Sequence, residues 1–328
     1  MPENPSNLSP PGRQAQLAER LSAYSHRAGR GALRRLARAS STLAERQGAH
    51  SVTPVAERYI ALLLNCLTRT GFSEPQAPAV LGDDLDAEVR AKAEEYMRVH
   101  DLEVVRAPRA DLSVREVGGD WPPPSGAETM IGMVRARHLA TCVEQAVVEA
   151  VPGDLLEAGV WRGGACILMK GVLEALGDRA RRVWVADSFC GLPKPDPERY
   201  PADKGDDLWT FEELAVSLEE VRANFARYGL LDDRVRFLEG WFEDTLPSAP
   251  IEQLAVLRID GDLYSSTTQA LEALYTKLSP GGFCIVDDYG AVAACREAVE
   301  DFRRSHGVTE PIEEVDWTGI AWQRLKQH

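Results

Sequence analysis

The sequence predicts an α/β protein, a mostly parallel sheet with helices on both faces, and three observations lead there. Short apolar runs alternate with helical stretches from residue 154 onward. Those runs are bounded by glycine and aspartate at their carboxyl ends. The helical stretches between them are long enough to cross from one strand to its parallel neighbour.

The elements follow in order. Asp154-Leu-Leu-Glu-Ala-Gly-Val160 reads as a first buried strand, with a helix from Gly164 to about Ala175. Val183-Trp-Val-Ala186 is a second strand ending at Asp187, followed by a helix over roughly Phe211 to Tyr228. Val235-Arg-Phe-Leu238 is a third strand, and Leu254 to Ile259 a fourth, with a helix after it through Leu278. Phe283-Cys-Ile-Val286 is a fifth, followed by a helix around Cys295 to Arg304. Residues Ile312 to Leu325 alternate around Gly319 in the manner of a hairpin.

Upstream, three segments separate. Residues 1–50 are a basic extension with Arg27, Arg30, Arg34, Arg35 and Arg38, which reads either as a partner-binding arm or as a solvated helix. Residues 51–126 are helical from Val55 to about His100, with Asp84 preceding a charged helix, and then loop-like from Arg106 to Gly126, as a lid or a plain linker would be. Residues 127–328 carry the strand–helix alternation and form the main domain.

Composition narrows the function. The 328 residues are 44% hydrophobic and 27% charged, with a net charge of −14. Such acidity disfavours nucleic acid or an anionic membrane as the main partner. No apolar run approaches the roughly 20 residues that span a bilayer, and the N-terminus lacks a signal-type core, so a cytoplasmic location is expected. The six cysteines are dispersed without a Cys-x-x-Cys pair, which argues against structural zinc.

Two constellations carry chemistry. The first is the turn Glu157-Ala-Gly159-Val-Trp-Arg-Gly163-Gly164, which lies between a strand and a helix. Its glycines allow a sharp turn and close backbone approach, and a helix N-terminus offers free N–H donors. The spacing is not the Gly-x-Gly-x-x-Gly of dinucleotide sites. Asp187, ending the second strand, suits the ribose hydroxyls of an adenosine and tolerates a sulfonium better than a phosphate. The second is Asp260-Gly261-Asp262 with Asp287-Asp288, at the ends of the fourth and fifth strands. Parallel strand ends bring these acids to one edge of the sheet, where they repel unless a cation or protons intervene. Oxygen donors without cysteine suit magnesium, manganese or calcium. Asp260, nearest the strand end, is the candidate metal ligand and proton acceptor. Turn-forming aspartates at strand exits are the plainer alternative.

At these residues the chain resembles the macrocin O-methyltransferase family, which also includes aminocoumarin sugar methyltransferases. The likeness is carried by Thr129-Met-Ile-Gly-Met-Val-Arg135, Leu156-Glu-Ala-Gly-Val-Trp-Arg-Gly-Gly164 and Val185-Ala-Asp-Ser-Phe189. It continues through Gly240-Trp-Phe-Glu-Asp-Thr-Leu-Pro247, Leu257-Arg-Ile-Asp-Gly-Asp-Leu-Tyr264 and Asp287-Asp-Tyr289. The resemblance implies a class I methyltransferase fold, S-adenosylmethionine as donor and Mg2+ at Asp260, Asp287 and Asp288, with Asp260 also the base. It puts Glu157, Gly159, Val160, Trp161, Gly163, Gly164, Asp187 and Ser188 at the donor, Thr129 in a motif closing over it, and Gly240 and Trp241 at adenine. It also implies a homo-oligomer and a glycosylated small-molecule acceptor, typically a deoxysugar hydroxyl of an antibiotic-type bacterial metabolite.

The chain departs from the family in two ways. Glu128 stands where the family often has His, a change expected to bear on the acceptor pocket, and the likeness is weak before residue 127. Two rival readings are an NAD-dependent sugar oxidoreductase, which lacks its dinucleotide loop here, and a scaffold that recruits a partner through the basic arm.

Overall fold

A computed structural model describes residues 52–70, 77–78, 85–106 and 127–325. The basic arm of residues 1–50, Asp84 and the loop of residues 107–126 lie outside the described residues. Helix α1 (Pro54–Thr68) starts at an N-cap Thr53 whose hydroxyl accepts from Ala56 N–H at 3.3 Å, with proline in its first turn. A two-residue strand β1 (Ala77–Pro78) pairs antiparallel with β2 (Val105–Arg106). Between them, α2 (Ala87–His100) is capped by Asp86, which accepts from Glu88 and Val89 N–H.

The main domain opens with α3 (Gly132–Val148), a helix the sequence reading did not place. Met133, Ala136, Leu139, Ala140 and Val143 are buried at helical spacing along it. Then come β3 (Asp154–Ala158), α4 (Gly164–Ala175), β4 (Val183–Asp187) and, after a long excursion, α5 (Leu218–Arg227) and β5 (Val235–Glu239). The short α6 (Phe242–Thr245) leads to β6 (Leu254–Ile259), α7 (Tyr264–Leu274), β7 (Leu278–Val286), α8 (Ala293–Ser305), β8 (Glu313–Glu314) and β9 (Ile320–Gln323).

The seven-stranded sheet has the order β5-β4-β3-β6-β7-β9-β8. The first five strands are parallel, and the β8/β9 hairpin joins antiparallel at β7. The class I α/β expectation and the C-terminal hairpin both hold. Strand faces alternate between two cores. Leu155, Val183 and Val185 point to the layer of α1, α3 and α4, where Leu63, Leu139 and Ile167 are buried. Leu156, Trp184, Leu257 and Ile259 point to the layer of α7 and α8, with Leu271, Leu274 and Phe302. Coverage on both faces is why these strands read as continuous apolar runs.

Two helix boundaries differ from expectation. The helix expected from Phe211 begins at Leu218, because Ser217 accepts Glu220 N–H and starts a helix with Glu219 and Glu220 in its first turn. Before it, Leu208–Thr210 and Glu212–Leu214 form single 3-10 turns. The helix expected to reach Leu278 ends at Leu274, and β7 starts at Leu278 rather than Phe283. The register against β6 shifts across Ser279–Gly282, since Leu254 pairs with Leu278 but Val256 with Phe283.

Chain order runs outward from β3 to β4 and β5, then returns to β6 and runs outward to β7 on the other side. The carboxyl ends of β3 and β6 therefore border the switch point where open α/β sheets bind ligands.

Candidate active site

A cavity of about 390 Å3 opens at that switch point, a size ordinary for small-molecule sites. Gly159, Val160, Trp161, Asp187, Ser188, Gly240, Trp241 and Asp260 of the expected residues line it. Thr129, Glu157, Gly163, Gly164, Asp287 and Asp288 are not among its lining residues.

Gly159 makes the first turn. Its N–H continues the ladder to Ala186 O at 2.9 Å, and it then adopts φ +86°. A side chain there has no room, because a Cβ would stand 1.8 Å from the Asp260 carbonyl oxygen. Gly159→Ala is therefore expected to destabilise the fold by about 2–5 kcal/mol, combining left-handed strain with the clash. Urea denaturation checks this; a loss below about 1 kcal/mol would mean the two strand ends can part.

Asp187 organises the loop. Its Oδ2 accepts Val160 N–H at 2.7 Å and its Oδ1 accepts Phe189 N–H at 2.8 Å, with Trp161 N–H also bonded to the carboxylate. Burial pushes its pKa up against those bonds. Ser188 donates to Gly191 O at 2.6 Å, and Gly240 N–H reaches Asp187 O at 2.9 Å. The loop, β4 and β5 thus meet at one aspartate.

Gly163 caps α4 at φ +84° and donates to Val160 O at 2.7 Å. Gly164 N–H donates to Glu128 O at 3.0 Å, so that donor of the helix N-terminus is already engaged by protein. A Cβ on Gly164 would come within 2.3 Å of the same oxygen. Thr129 is buried on this contact and accepts Ile131 N–H, while its neighbour Met130 reaches the cavity. Glu128 does not line the cavity. Its carboxylate is 3% exposed, accepts Tyr228 O–H at 2.7 Å and pairs with Arg69 at 3.4 Å, tying α1 to the end of α5.

On the other side of the switch point, Asp260, Asp287 and Asp288 each bring a carboxylate oxygen within 4.8 Å of the others. Asp260 keeps 28% of its side chain exposed. Asp262, at φ +55°, donates its N–H to Asp288 Oδ2 at 3.2 Å and also lines the cavity. Burial pushes the Asp262 carboxyl up to about 8, with Asp260 the next cause. The Asp260 carboxyl is raised by burial and then by Asp287, and Asp288 is raised strongly by burial and then by Asp262.

Two arginines that the sequence reading passed over balance this cluster. Arg258 is 1% exposed in β6; its Nη1 donates to Glu157 and, at 2.9 Å, to Asp260 Oδ2, and its Nη2 lies 2.6 Å from Asp287 Oδ1. Arg135 on α3 donates to the other oxygen of Asp287 and, through Nε at 3.0 Å, to Asp316 Oδ2. Glu157 faces Arg258 and accepts the Cys166 thiol at 2.9 Å, and burial pushes it up to about 7 while Arg258 pulls it down. The available signal was a lone arginine inside the apolar run Leu254–Ile259. Also missed was Asp203, buried in the excursion after β4, which accepts Tyr264 and Ser265 N–H at 2.6 and 3.1 Å. It thereby caps α7 from a segment about sixty residues away in the chain.

The sequence model of the macrocin-O-methyltransferase (TylF) family matches residues 56–324. The chain belongs to that family. The match begins within α1, well upstream of residue 127. The chain is 56% identical over 214 residues to the 8-demethyl-8-(2,3-dimethoxy-alpha-L-rhamnosyl)-tetracenomycin-C 4'-O-methyltransferase of Streptomyces olivaceus, covering 65% of this chain and 81% of that one. It is 54% identical over 213 residues to the mycinamicin III 3''-O-methyltransferase of Micromonospora griseorubida, covering 64% and 83%. Among solved structures, the O-methyltransferase NovP superposes with a TM-score of 0.71 at 43% identity, over 83% of this chain and all of that one. Among the described residues, no helix is long and apolar enough to cross a membrane.

Proposed function

We propose that this macrocin-O-methyltransferase family member transfers the methyl group of S-adenosylmethionine to a sugar hydroxyl of a glycosylated bacterial natural product, with Mg2+ at Asp260, Asp287 and Asp288. The observation that carries the reading is the convergence of three carboxylates from two strand ends beside a cavity bounded by the Gly159–Gly164 turn.

The residues fit both groups. The donor set is all hard oxygen, as magnesium prefers, and Asp260, Asp287 and Asp288 keep lone pairs beyond their bonds to Arg258, Arg135 and the Asp262 N–H. Asp187 and Asp260 bring carboxylates to the cavity, which suits a sulfonium better than a phosphate. In this reading Asp187 accepts from the donor ribose with its remaining lone pairs, Gly240 and Trp241 lie against the adenine, and the Val160–Trp161 backbone fixes the sulfonium end. When bound, the metal supplies Lewis acidity that lowers the pKa of the acceptor hydroxyl. Asp260 takes the hydroxyl proton as the oxygen attacks. The new C–O bond forms as the S–C bond breaks, and the donor leaves as the neutral thioether. Relatives that methylate rhamnosyl and mycinamicin scaffolds support a glycosylated acceptor here.

The test is a methyl-transfer assay across glycosylated acceptors with Mg2+ or with EDTA. Turnover should fall by about a hundredfold or more with chelator and return on adding magnesium. Undiminished turnover in EDTA would remove the metal from the reaction.

A further inference from the structure

Trp161 sits between two glycines in the donor-side turn, yet it is not glycine and adopts φ +47°. That conformation is unusual for a bulky side chain and needs support from its surroundings. One support is the Asp187 carboxylate, which holds the Val160 and Trp161 N–H groups. The other is the indole itself. Its Nε1–H donates to the backbone oxygen of Glu213 at 2.9 Å, across 52 residues of chain. Arg162 stacks on its ring at 4.5 Å.

The residue after Glu213 is Leu214, which lines the cavity. Leu214 belongs to the excursion between β4 and α5, whose 3-10 turns are held by short-range bonds such as Leu214 N–H to Phe211 O and Ala215 N–H to Glu212 O. Such a segment has little regular structure of its own and opens at low cost unless something outside holds it. Asp203 pins its middle to the start of α7, and Trp161 holds its later part.

We infer that Trp161 is a positioning residue that links the donor turn to the Leu208–Ser217 segment, whose Leu214 lines the cavity, so that a ligand at Asp187 firms that segment. The inference rests on the donor reading above. The connection is continuous, running from the Asp187 carboxylate through the Val160–Trp161 backbone and the indole to the Glu213 carbonyl beside Leu214. A donor ribose that shares Asp187 bears directly on the first of these contacts. The donor turn and the segment that brings Leu214 to the cavity are then not independent.

The test uses the full chain and S-adenosylhomocysteine, with calorimetry for binding and amide hydrogen exchange read over residues 208–217. In the wild type, the ligand should slow exchange there by about fivefold to tenfold, the factor one hydrogen bond supplies. Trp161→Phe keeps an aromatic ring but loses the N–H, and should lose that slowing even at a ligand concentration that calorimetry shows to be saturating for the variant. Trp161→Gln, whose amide N–H has a similar reach, should restore part of it. A merely structural tryptophan would alter exchange equally with and without ligand. Slowing of the same size in all three proteins would overturn the inference, as would a wild type that binds without slowing. A wild type that fails to bind the ligand would overturn the donor reading and the inference with it.

Discussion

Asp260→Asn is expected to lower kcat by about a thousandfold while leaving donor affinity nearly unchanged. The substitution keeps the shape of the side chain and its contact with Arg258, since the amide oxygen can still accept the Nη1 hydrogen now bonded at 2.9 Å. What it removes is one negative charge and the ability to take a proton. Asp260 is the member of the carboxylate triad that lines the cavity, so no neighbour replaces it at the same place. Asp262 also faces the cavity, but from the turn after the strand end, with its N–H tied to Asp288, so it does not stand where Asp260 does. Single-turnover methyl transfer, with calorimetric titration of S-adenosylhomocysteine in parallel, reads both quantities. Retention of more than about a tenth of the wild-type rate would take the base role away from Asp260.

The part of this site that the sequence made legible is the part set along a single strand. Leu155 and Leu156, Val183 to Ala186, and Leu254 to Ile259 are buried on both faces, so their apolar runs needed no knowledge of neighbours. Asp187, Asp260 and Asp287 follow such runs directly, and their place at the sheet edge follows from the strands being parallel. What stayed hidden depends on register and on distant contacts. Glu157 and Arg258 are partners in the β3/β6 ladder, and no local pattern states which residue lies beside which. Glu157 therefore read as a donor-site residue, whereas its carboxylate lies in the sheet against Arg258. Glu128 stood out only as a departure from the family's usual His, and its partners Arg69 and Tyr228, 59 and 100 positions away, are named by no local pattern. Helix α3 escaped notice for another reason. It follows a loop, starts at a glycine without a side-chain cap, and mixes buried alanines with Arg135 and His138. Arg135 entered only as the last residue of a family motif, and it is buried against Asp287.

Arg258→Met is expected to destabilise the protein by about 3–5 kcal/mol at pH 8, the range for breaking a buried ion pair from one side. The reason lies in what remains. Glu157, Asp260 and Asp287 all lose a cation, and the first and last are almost fully buried. Methionine fills much of the volume, so the loss reports charge more than packing. The pH dependence separates the two. Glu157 sits at about 7 in the folded protein against an ordinary 4.5, so the folded state binds more protons between those values and this group's contribution falls as pH rises through that window. Without Arg258 the carboxyl moves higher still, because the pull that lowered it is gone. Protonation then relieves the buried charge at low pH, and the destabilisation should be smaller at pH 6 than at pH 8. A packing defect would cost the same at both. Urea melts of wild type and variant at the two pH values decide the matter: a difference between them that does not change with pH would show that Arg258 fills space in the sheet rather than balancing the acids at its edge.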